Sequence, residues 1–118
     1  MYEYKIKVNK VIDGDTIDVT IDLGFNIHIN ERVRLFGINA PETRTTDLAE
    51  KALGLESKKF LEALLTPKPG TVQNVTMICD EFNDERGKYG RIIGTIFVDD
   101  VSVNLQLVHE GFASVAVY

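Results

Sequence analysis

The fold is decided mainly by the stretch DGDTIDVTIDL, residues 13–23. After the Asp-Gly-Asp turn, apolar side chains alternate with Thr and Asp up to Leu23. That period of two is typical of a half-buried β-strand. The stretch therefore predicts a strand that begins directly after a tight acidic turn, with Gly14 supplying the bend.

The neighbouring segments extend this alternation into a meander of three strands. Apolar residues occupy even positions within Tyr4–Val8 and odd positions within Phe25–Leu35, which predicts a first and a third strand. Glu31 breaks the odd-numbered set, so we expect a bend or bulge at Asn30–Glu31. Gly24 would serve the tight connection between the second and third strands.

The period changes to that of a helix after Pro41. Residues 47–65 have helical spacing, and Asp47 with Glu50 could form the N-terminal cap. Gly54 leaves an ordered loop as an alternative for the first half of this segment.

Two further strands and a short helix are predicted in the rest of the chain. The strands cover residues 72–79 and 92–98, and the helix lies between Ser102 and Gly111. The order β-β-β-α-β-β-α is that of a five-stranded OB-type barrel, a mainly β fold with helices (α+β).

Composition narrows the range of functions. The 118 residues suffice for one domain, and a net charge of −5 argues against tight nonspecific binding to nucleic acid. The single cysteine, Cys79, cannot form an internal disulfide. No apolar leader or membrane-length segment occurs, so we expect no membrane contact and a cytoplasmic protein unless a leader has been removed. We also expect a monomer.

Acidic residues near isolated arginines are the side chains that could carry chemistry. Asp15 shares the parity of Ile17, which directs its carboxylate to the apolar side of the sheet, where it needs hydrogen bonds or a cation. The segment Asn39–Glu42 follows the third strand and offers oxygen ligands that suit Ca²⁺. Taken alone, the Asp-Gly-Asp triplet is more typical of a simple turn, and Asn39–Glu42 of a strand end.

Arg34 and Arg91 suit a phosphate, because the planar guanidinium donates paired hydrogen bonds and stays charged. A surface ion pair is the alternative for either arginine. His28 and His109 are poor catalytic candidates, since one alternates outward on a strand and the other lies at a helix end.

Four motifs together resemble the staphylococcal nuclease (thermonuclease) family in their order and spacing. They are VIDGDT (11–16), RLFGINAPE (34–42), KYGR (88–91), and VN followed by GFA within residues 103–113. The resemblance implies a calcium-dependent phosphodiesterase on an OB-fold barrel, which hydrolyses DNA and/or RNA to 3′-phosphate products. It also implies a single domain over residues 1–118 that lacks the family's C-terminal helix.

The resemblance further implies a role for each matching position. The metal ligands would be Asp15, Asn39 and the backbone carbonyl of Ala40. The catalytic residues would be Arg34, Glu42 and Arg91. The substrate-binding residues would be Tyr89 and Lys88. Asn39 stands where the family commonly has an aspartate. A neutral ligand predicts weaker calcium binding, because calcium affinity depends on ligand charge.

Two other functions remain as alternatives. A catalytically weak or inactive OB-fold module could bind nucleic acid through a basic groove and stacking aromatics. A protein-interaction domain would suit the acidic balance but would leave the acid–arginine set unexplained.

Overall fold

The computed structural model describes residues 2–79 and 92–116. Within those ranges the chain forms eight strands and two helices. They are β1 (Tyr2–Asp13), β2 (Thr16–Asp22), β3 (His28–Leu35), β4 (Ile38–Asn39), α1 (Leu48–Leu64), β5 (Val75–Cys79), β6 (Ile92–Val98), β7 (Val101–Ser102), α2 (Val103–His109) and β8 (Ser114–Val115). Neither helix of the described part is long and apolar enough to cross a membrane.

The long strands form a closed barrel. Their sheet has the order β3-β2-β1-β5-β6-β7, and a further pairing of β3 with β6 closes the ring. That closing pair is parallel, with Val33 beside Ile92 and Leu35 beside Gly94. A closed five-stranded barrel with two helices confirms the predicted OB-type fold.

The barrel interior is filled by the apolar residues that the alternation singled out. Ile17, Val19 and Ile21 of β2 are buried, as are Val33 and Leu35 of β3. Each such aliphatic side chain contributes about 1.5–3 kcal/mol when it is fully removed from water. The parity of β2 therefore directs Asp18, Thr20 and Asp22 to the outer surface of the barrel.

β1 is longer than the alternation predicted. It runs from Tyr2 to Asp13 instead of ending at Val8, with register shifts between Val8 and Lys10 and between Val11 and Asp13. A bulge adds a residue and reverses the parity of the residues after it. The alternating pattern therefore fades in the sequence although the strand continues.

Two expectations for the β2–β3 hairpin are wrong. The pairing register is continuous along both strands, without a bulge at Asn30–Glu31. Phe25 is 97% exposed and Ile27 is 54% exposed. The alternating apolar residues at the start of the predicted strand, Phe25–Leu35, are therefore not part of the hydrophobic core. Residues 23–27 instead form a turn beyond the barrel, with positive φ at Gly24, Phe25 and Asn26.

α1 confirms the predicted helix and its cap. The Asp47 carboxylate accepts hydrogen bonds from the backbone N–H groups of Ala49 (3.0 Å) and Glu50 (3.2 Å). Gly54 lies inside the continuous helix and is buried, so the ordered-loop alternative is wrong.

α2 is fixed to the barrel by a buried amide. The side-chain oxygen of Asn104 accepts from the Ile96 N–H at 3.1 Å. Its side-chain nitrogen donates to the carbonyls of Phe36 (2.9 Å) and Gly94 (3.4 Å). Asn104 thus satisfies three backbone groups and joins α2 to β6 and to the end of β3.

Replacing Asn104 should therefore destabilise the whole barrel. Asn104→Leu keeps a similar volume but removes these partners, and the loss should lower the free energy of unfolding by about 2–3 kcal/mol. Urea denaturation followed by circular dichroism measures the change. Gln106→Leu on the same helix is the control, expected within about 0.5 kcal/mol; equal effects of the two would contradict the role of Asn104.

Candidate functional site

Asp15 is the centre of a hydrogen-bonded cluster at the mouth of the barrel. Its side chain is 13% exposed. One carboxylate oxygen accepts from the Thr16 hydroxyl at 2.9 Å, and the other accepts from the Ala40 N–H at 2.8 Å. Arg34 provides the positive charge, with Nη1 2.8 Å from the second oxygen. The carboxylate thus has the partners that its burial requires.

Arg34 bridges two of the predicted metal ligands. Besides its ion pair with Asp15, it donates from Nη2 to the side-chain oxygen of Asn39. Its side chain is 15% exposed, so the pair is not a surface ion pair. The side-chain oxygens of Asp15 and Asn39 therefore both contact the Arg34 guanidinium, and together they stabilise a positive charge at that position.

The segment that carries Glu42 is held at both ends by the Asp-Gly-Asp triplet. Ala40 donates its N–H to Asp15, and the Thr43 hydroxyl donates to the carboxylate of Asp13. Glu42 lies between these two anchors and is exposed. Asp13 therefore fixes the loop that carries Glu42.

Two glycines let α1 approach this segment closely. A Cβ on Gly14 would lie 2.7 Å from Cβ of Ser57 and 2.9 Å from Cβ of Ala40. A Cβ on Gly54 would lie 2.5 Å from the backbone oxygen of Glu42. The loop between Ala40 and Glu42 is therefore packed against the helix with no space for a methyl group.

A small second sheet fixes the backbone of Asn39. β4 pairs with β8, which places Asn39 beside Ser114, and the Ser114 hydroxyl donates to the Asn39 carbonyl at 3.4 Å. The Ala116 N–H donates to the Gly37 carbonyl at 2.8 Å. Residues 114–116 thus hold the strand that carries Asn39.

The predicted site residues divide into two groups. Asp15, Arg34, Asn39 and Ala40 form one cluster, in which Arg34 contacts Asp15 and Asn39 and Ala40 contacts Asp15, and Glu42 lies on the adjoining loop. Lys88, Tyr89 and Arg91 lie outside the described residues.

The contacts also involve residues that were not among the predicted site residues. Thr16 and Thr43 each donate to one carboxylate of the triplet, and Gly54 admits the loop. For Gly54 the sequence did offer a signal. Glycine destabilises the interior of a helix, so a glycine inside a helical pattern often stands there for a packing reason.

The donor set fits a hard cation but carries little charge. Asp15 offers a carboxylate, Asn39 an amide oxygen and Ala40 a backbone carbonyl, all of which are ligands that Ca²⁺ accepts. Among the described residues, no group of three or more His, Cys, Asp or Glu side chains could hold a metal ion. A divalent ion would thus meet the right atoms with a low ligand charge.

A groove of about 600 Å³ borders the site from the side of α1. Asn39 and Ala40 form one wall, and Leu53, Phe112 and Ser114 form others. Asp15 and Arg34 do not line it, so the groove adjoins the acid–arginine cluster without containing it.

The fold, the motifs and the cluster define a member of a known class of barrel proteins. A family model described as "Staphylococcal nuclease homologue" matches residues 32–118. The chain belongs to the staphylococcal nuclease family.

Individual relatives match almost the whole chain. The thermonuclease of Staphylococcus intermedius is 33% identical over 111 residues, which cover 94% of this chain and 59% of that protein. The SPbeta prophage-derived endonuclease YokF of Bacillus subtilis (strain 168) is 33% identical, with 94% of this chain and 34% of that protein covered. The thermonuclease of Staphylococcus hyicus is 30% identical, with 98% and 62% covered. The chain thus spans between a third and two thirds of the length of these relatives.

The contact between Gly54 and the Glu42 loop predicts an inverted mutational effect. Gly→Ala inside a helix normally stabilises by about 1 kcal/mol. At Gly54 the new methyl would meet the Glu42 carbonyl, and we expect Gly54→Ala to destabilise by about 1–2 kcal/mol instead. Thermal unfolding measures the sign. Ala52→Gly, at an exposed position of the same helix, calibrates the propensity term; a stabilised Gly54→Ala would show that the loop is not packed on α1.

Proposed function

We propose that this chain is a calcium-dependent nuclease that hydrolyses phosphodiester bonds of DNA and/or RNA and leaves 3′-phosphates. The observation that carries the proposal is the contact of Arg34 with both Asp15 and Asn39 at the barrel mouth. It brings a phosphate-binding group against a hard-cation donor set. The names of the relatives, thermonuclease and endonuclease, support the same reaction class.

The proposed reaction is attack of water on phosphorus with loss of the 5′-oxygen. Glu42 takes the proton of the attacking water, since the exposed carboxylate lies on the loop that Asp13 and Asp15 anchor. The P–O5′ bond breaks, the 5′-oxygen leaves with a proton taken from solvent water, and the phosphate stays on the 3′-oxygen. Asp15, Asn39 and the Ala40 carbonyl would hold a divalent cation, which would supply neutralising charge at the phosphate.

Arginine donors stabilise the charge that develops on the phosphate oxygens. A guanidinium has five N–H groups, and the contacts of Arg34 with Asp15 and Asn39 leave others for a phosphate. Arg91 is proposed as the second arginine, and Tyr89 and Lys88 as contacts to the nucleotide, on the strength of their motif positions.

A binding module that cleaves weakly or not at all is the second candidate. The low charge of the donor set favours it, because Asn39 adds no charge beside Asp15. Such a module would keep its affinity for nucleic acid when divalent ions are removed.

Cleavage assays with matched variants separate the two candidates. Wild type should cleave single-stranded DNA or RNA with Ca²⁺ and lose activity in EDTA. Arg34→Ala should slow cleavage by about 10²–10³-fold, the effect of losing one donor to a developing anion. Glu42→Gln should also be slow, whereas Glu56→Gln on the exposed part of α1 should match wild type. The absence of metal-dependent cleavage at high enzyme concentration, with binding unaffected by EDTA, would establish the binding module instead.

Asn39→Asp tests whether ligand charge limits metal binding. The substitution adds a second carboxylate at the same position, so we expect Ca²⁺ to bind about tenfold or more tightly and cleavage at low Ca²⁺ to accelerate. Isothermal titration calorimetry measures the affinity separately from activity. Asn26→Asp, which adds the same charge at the hairpin turn, is the control. If Asn39→Asp improves neither quantity, Asn39 is not a ligand.

A further inference from the structure

Asp13 is the acidic residue of the Asp-Gly-Asp triplet that has no role in the proposed reaction. It is the last residue of β1, and it pairs with Thr16 of β2 across a turn formed by Gly14 and Asp15. A turn of this length fixes the register of the two strands that it joins. The backbone therefore holds Asp13 and Asp15 in a fixed relation to each other.

The loop that carries Glu42 is attached to both of these carboxylates. The Ala40 N–H donates to Asp15 at 2.8 Å, and the Thr43 hydroxyl donates to Asp13. Besides Glu42, only a proline lies between the two attachment points, and its ring fixes its own φ. The loop therefore has little conformational freedom while both hydrogen bonds are made.

α1 restrains the same loop from another side. A Cβ on Gly54 would lie 2.5 Å from the carbonyl oxygen of Glu42 and 2.8 Å from that of Pro41. The segment that leads on to the helix has a hydrogen bond of its own, since the Asp47 N–H donates to the Thr45 hydroxyl at 3.2 Å. The backbone of Glu42 is thus enclosed by two hydrogen bonds and a packed helix.

The side chain of Glu42 has no comparable restraint. It is exposed, and within the described part of the chain no hydrogen bond or ion pair holds its carboxylate. The region that the carboxylate can reach therefore depends on where the backbone places its Cα and on the rotamers allowed there. A displacement of about 1 Å at a reacting group can cost about 100-fold in rate. The restraints on the backbone are consequently the means of keeping Glu42 near an attacking water.

We propose that Asp13 and Thr43 are positioning residues, whose hydrogen bond places Glu42 for abstraction of the proton from the attacking water. This inference rests on the proposed nuclease function and names two residues that this function requires. Because the contact acts through the backbone of Glu42, its loss should lower kcat and leave the binding of Ca²⁺ and substrate unchanged. A direct effect of the Asp13 charge on a metal would instead weaken Ca²⁺ binding and would not involve Thr43.

Variants at both ends of the hydrogen bond separate these two effects. Thr43→Val removes the donor with little change of shape, whereas Thr43→Ser keeps it. Asp13→Ala removes the acceptor, whereas Asp13→Asn keeps an accepting oxygen without the charge. Thr46→Val, at an exposed position of the following segment, is the control. Cleavage of a labelled oligonucleotide at saturating Ca²⁺ gives kcat and KM, and isothermal titration calorimetry gives the Ca²⁺ affinity.

The loss of rate should follow the hydrogen bond and not the charge. Thr43→Val and Asp13→Ala should each lower kcat by about 10–100-fold, with KM and Ca²⁺ affinity within about twofold of wild type. Thr43→Ser and Asp13→Asn should keep most of the rate, and the control should match wild type. The double variant Asp13→Ala/Thr43→Val should be no slower than the slower single variant, because both changes remove the same contact.

Backbone dynamics report on the contact without any cleavage. In metal-free protein, the order parameter of the Glu42 N–H from ¹⁵N relaxation should fall from about 0.85 towards 0.6 in Thr43→Val. The same N–H should keep its wild-type order parameter in Thr46→Val. Unchanged order parameters for the amides of β2 would show that the barrel of each variant is folded.

Each contrary result identifies a different error. If Thr43→Val cleaves like wild type, or if Thr46→Val is equally slow, the positioning role is wrong while the nuclease function stands. The same holds if Asp13→Asn is as slow as Asp13→Ala and binds Ca²⁺ more weakly, because Asp13 then acts through its charge. If wild type does not cleave although Thr43→Val loosens Glu42, the proposed function is wrong, and the contact serves only the fold of the loop.

Discussion

The buried carboxylate of Asp15 is the constraint on which the site depends. A carboxylate that is 13% exposed needs compensation, and Thr16, Ala40 and Arg34 each provide a hydrogen bond or charge. These three partners come from β2, from the loop after β4 and from β3. One side chain therefore joins the strands of the barrel mouth to the loop that carries the remaining candidate groups, and the burial of a single charge determines the geometry of the site.

The loop is held from its other side by close packing and not by charge. The Glu42 carbonyl lies so close to Gly54 that a Cβ would not fit there. Ser57 lies so close to Gly14 that a Cβ would not fit at that position either. The Ser57 hydroxyl in turn donates to the Phe112 carbonyl at 2.6 Å, while the ring of Phe112 stacks on Phe60 with centroids 4.4 Å apart. α1 thus connects the candidate site to the segment after α2. A change in that packing would alter the position of the Glu42 loop without changing a contact of a charged side chain.

Much of this arrangement could be predicted from the sequence because local rules agree there with the fold. The alternation of β2, the Asp47 cap of α1 and the start of α2 after Ser102 each follow from side chains close in sequence. The errors arise where tertiary context decides. The β1 bulges break a pattern without ending the strand, and exposed Phe25 shows that an alternating apolar residue need not be in the core. The anchoring of Thr43 by Asp13 joins residues 30 positions apart, and spacing alone gives no sign of it.

Asn39 has a different meaning once its contact with Arg34 is known. The charges of Asp15 and Arg34 compensate each other, and both carboxylate oxygens of Asp15 have hydrogen-bond partners within the protein. A second carboxylate at position 39 would leave one negative charge uncompensated among these three residues, which is the condition that draws in a divalent ion. The amide keeps the oxygen and its hydrogen bond to Arg34 but removes that excess charge. In the proposed metal site, the amide of Asn39 would weaken the attraction for a metal, and it leaves a metal-free cluster in which Arg34 is the cation.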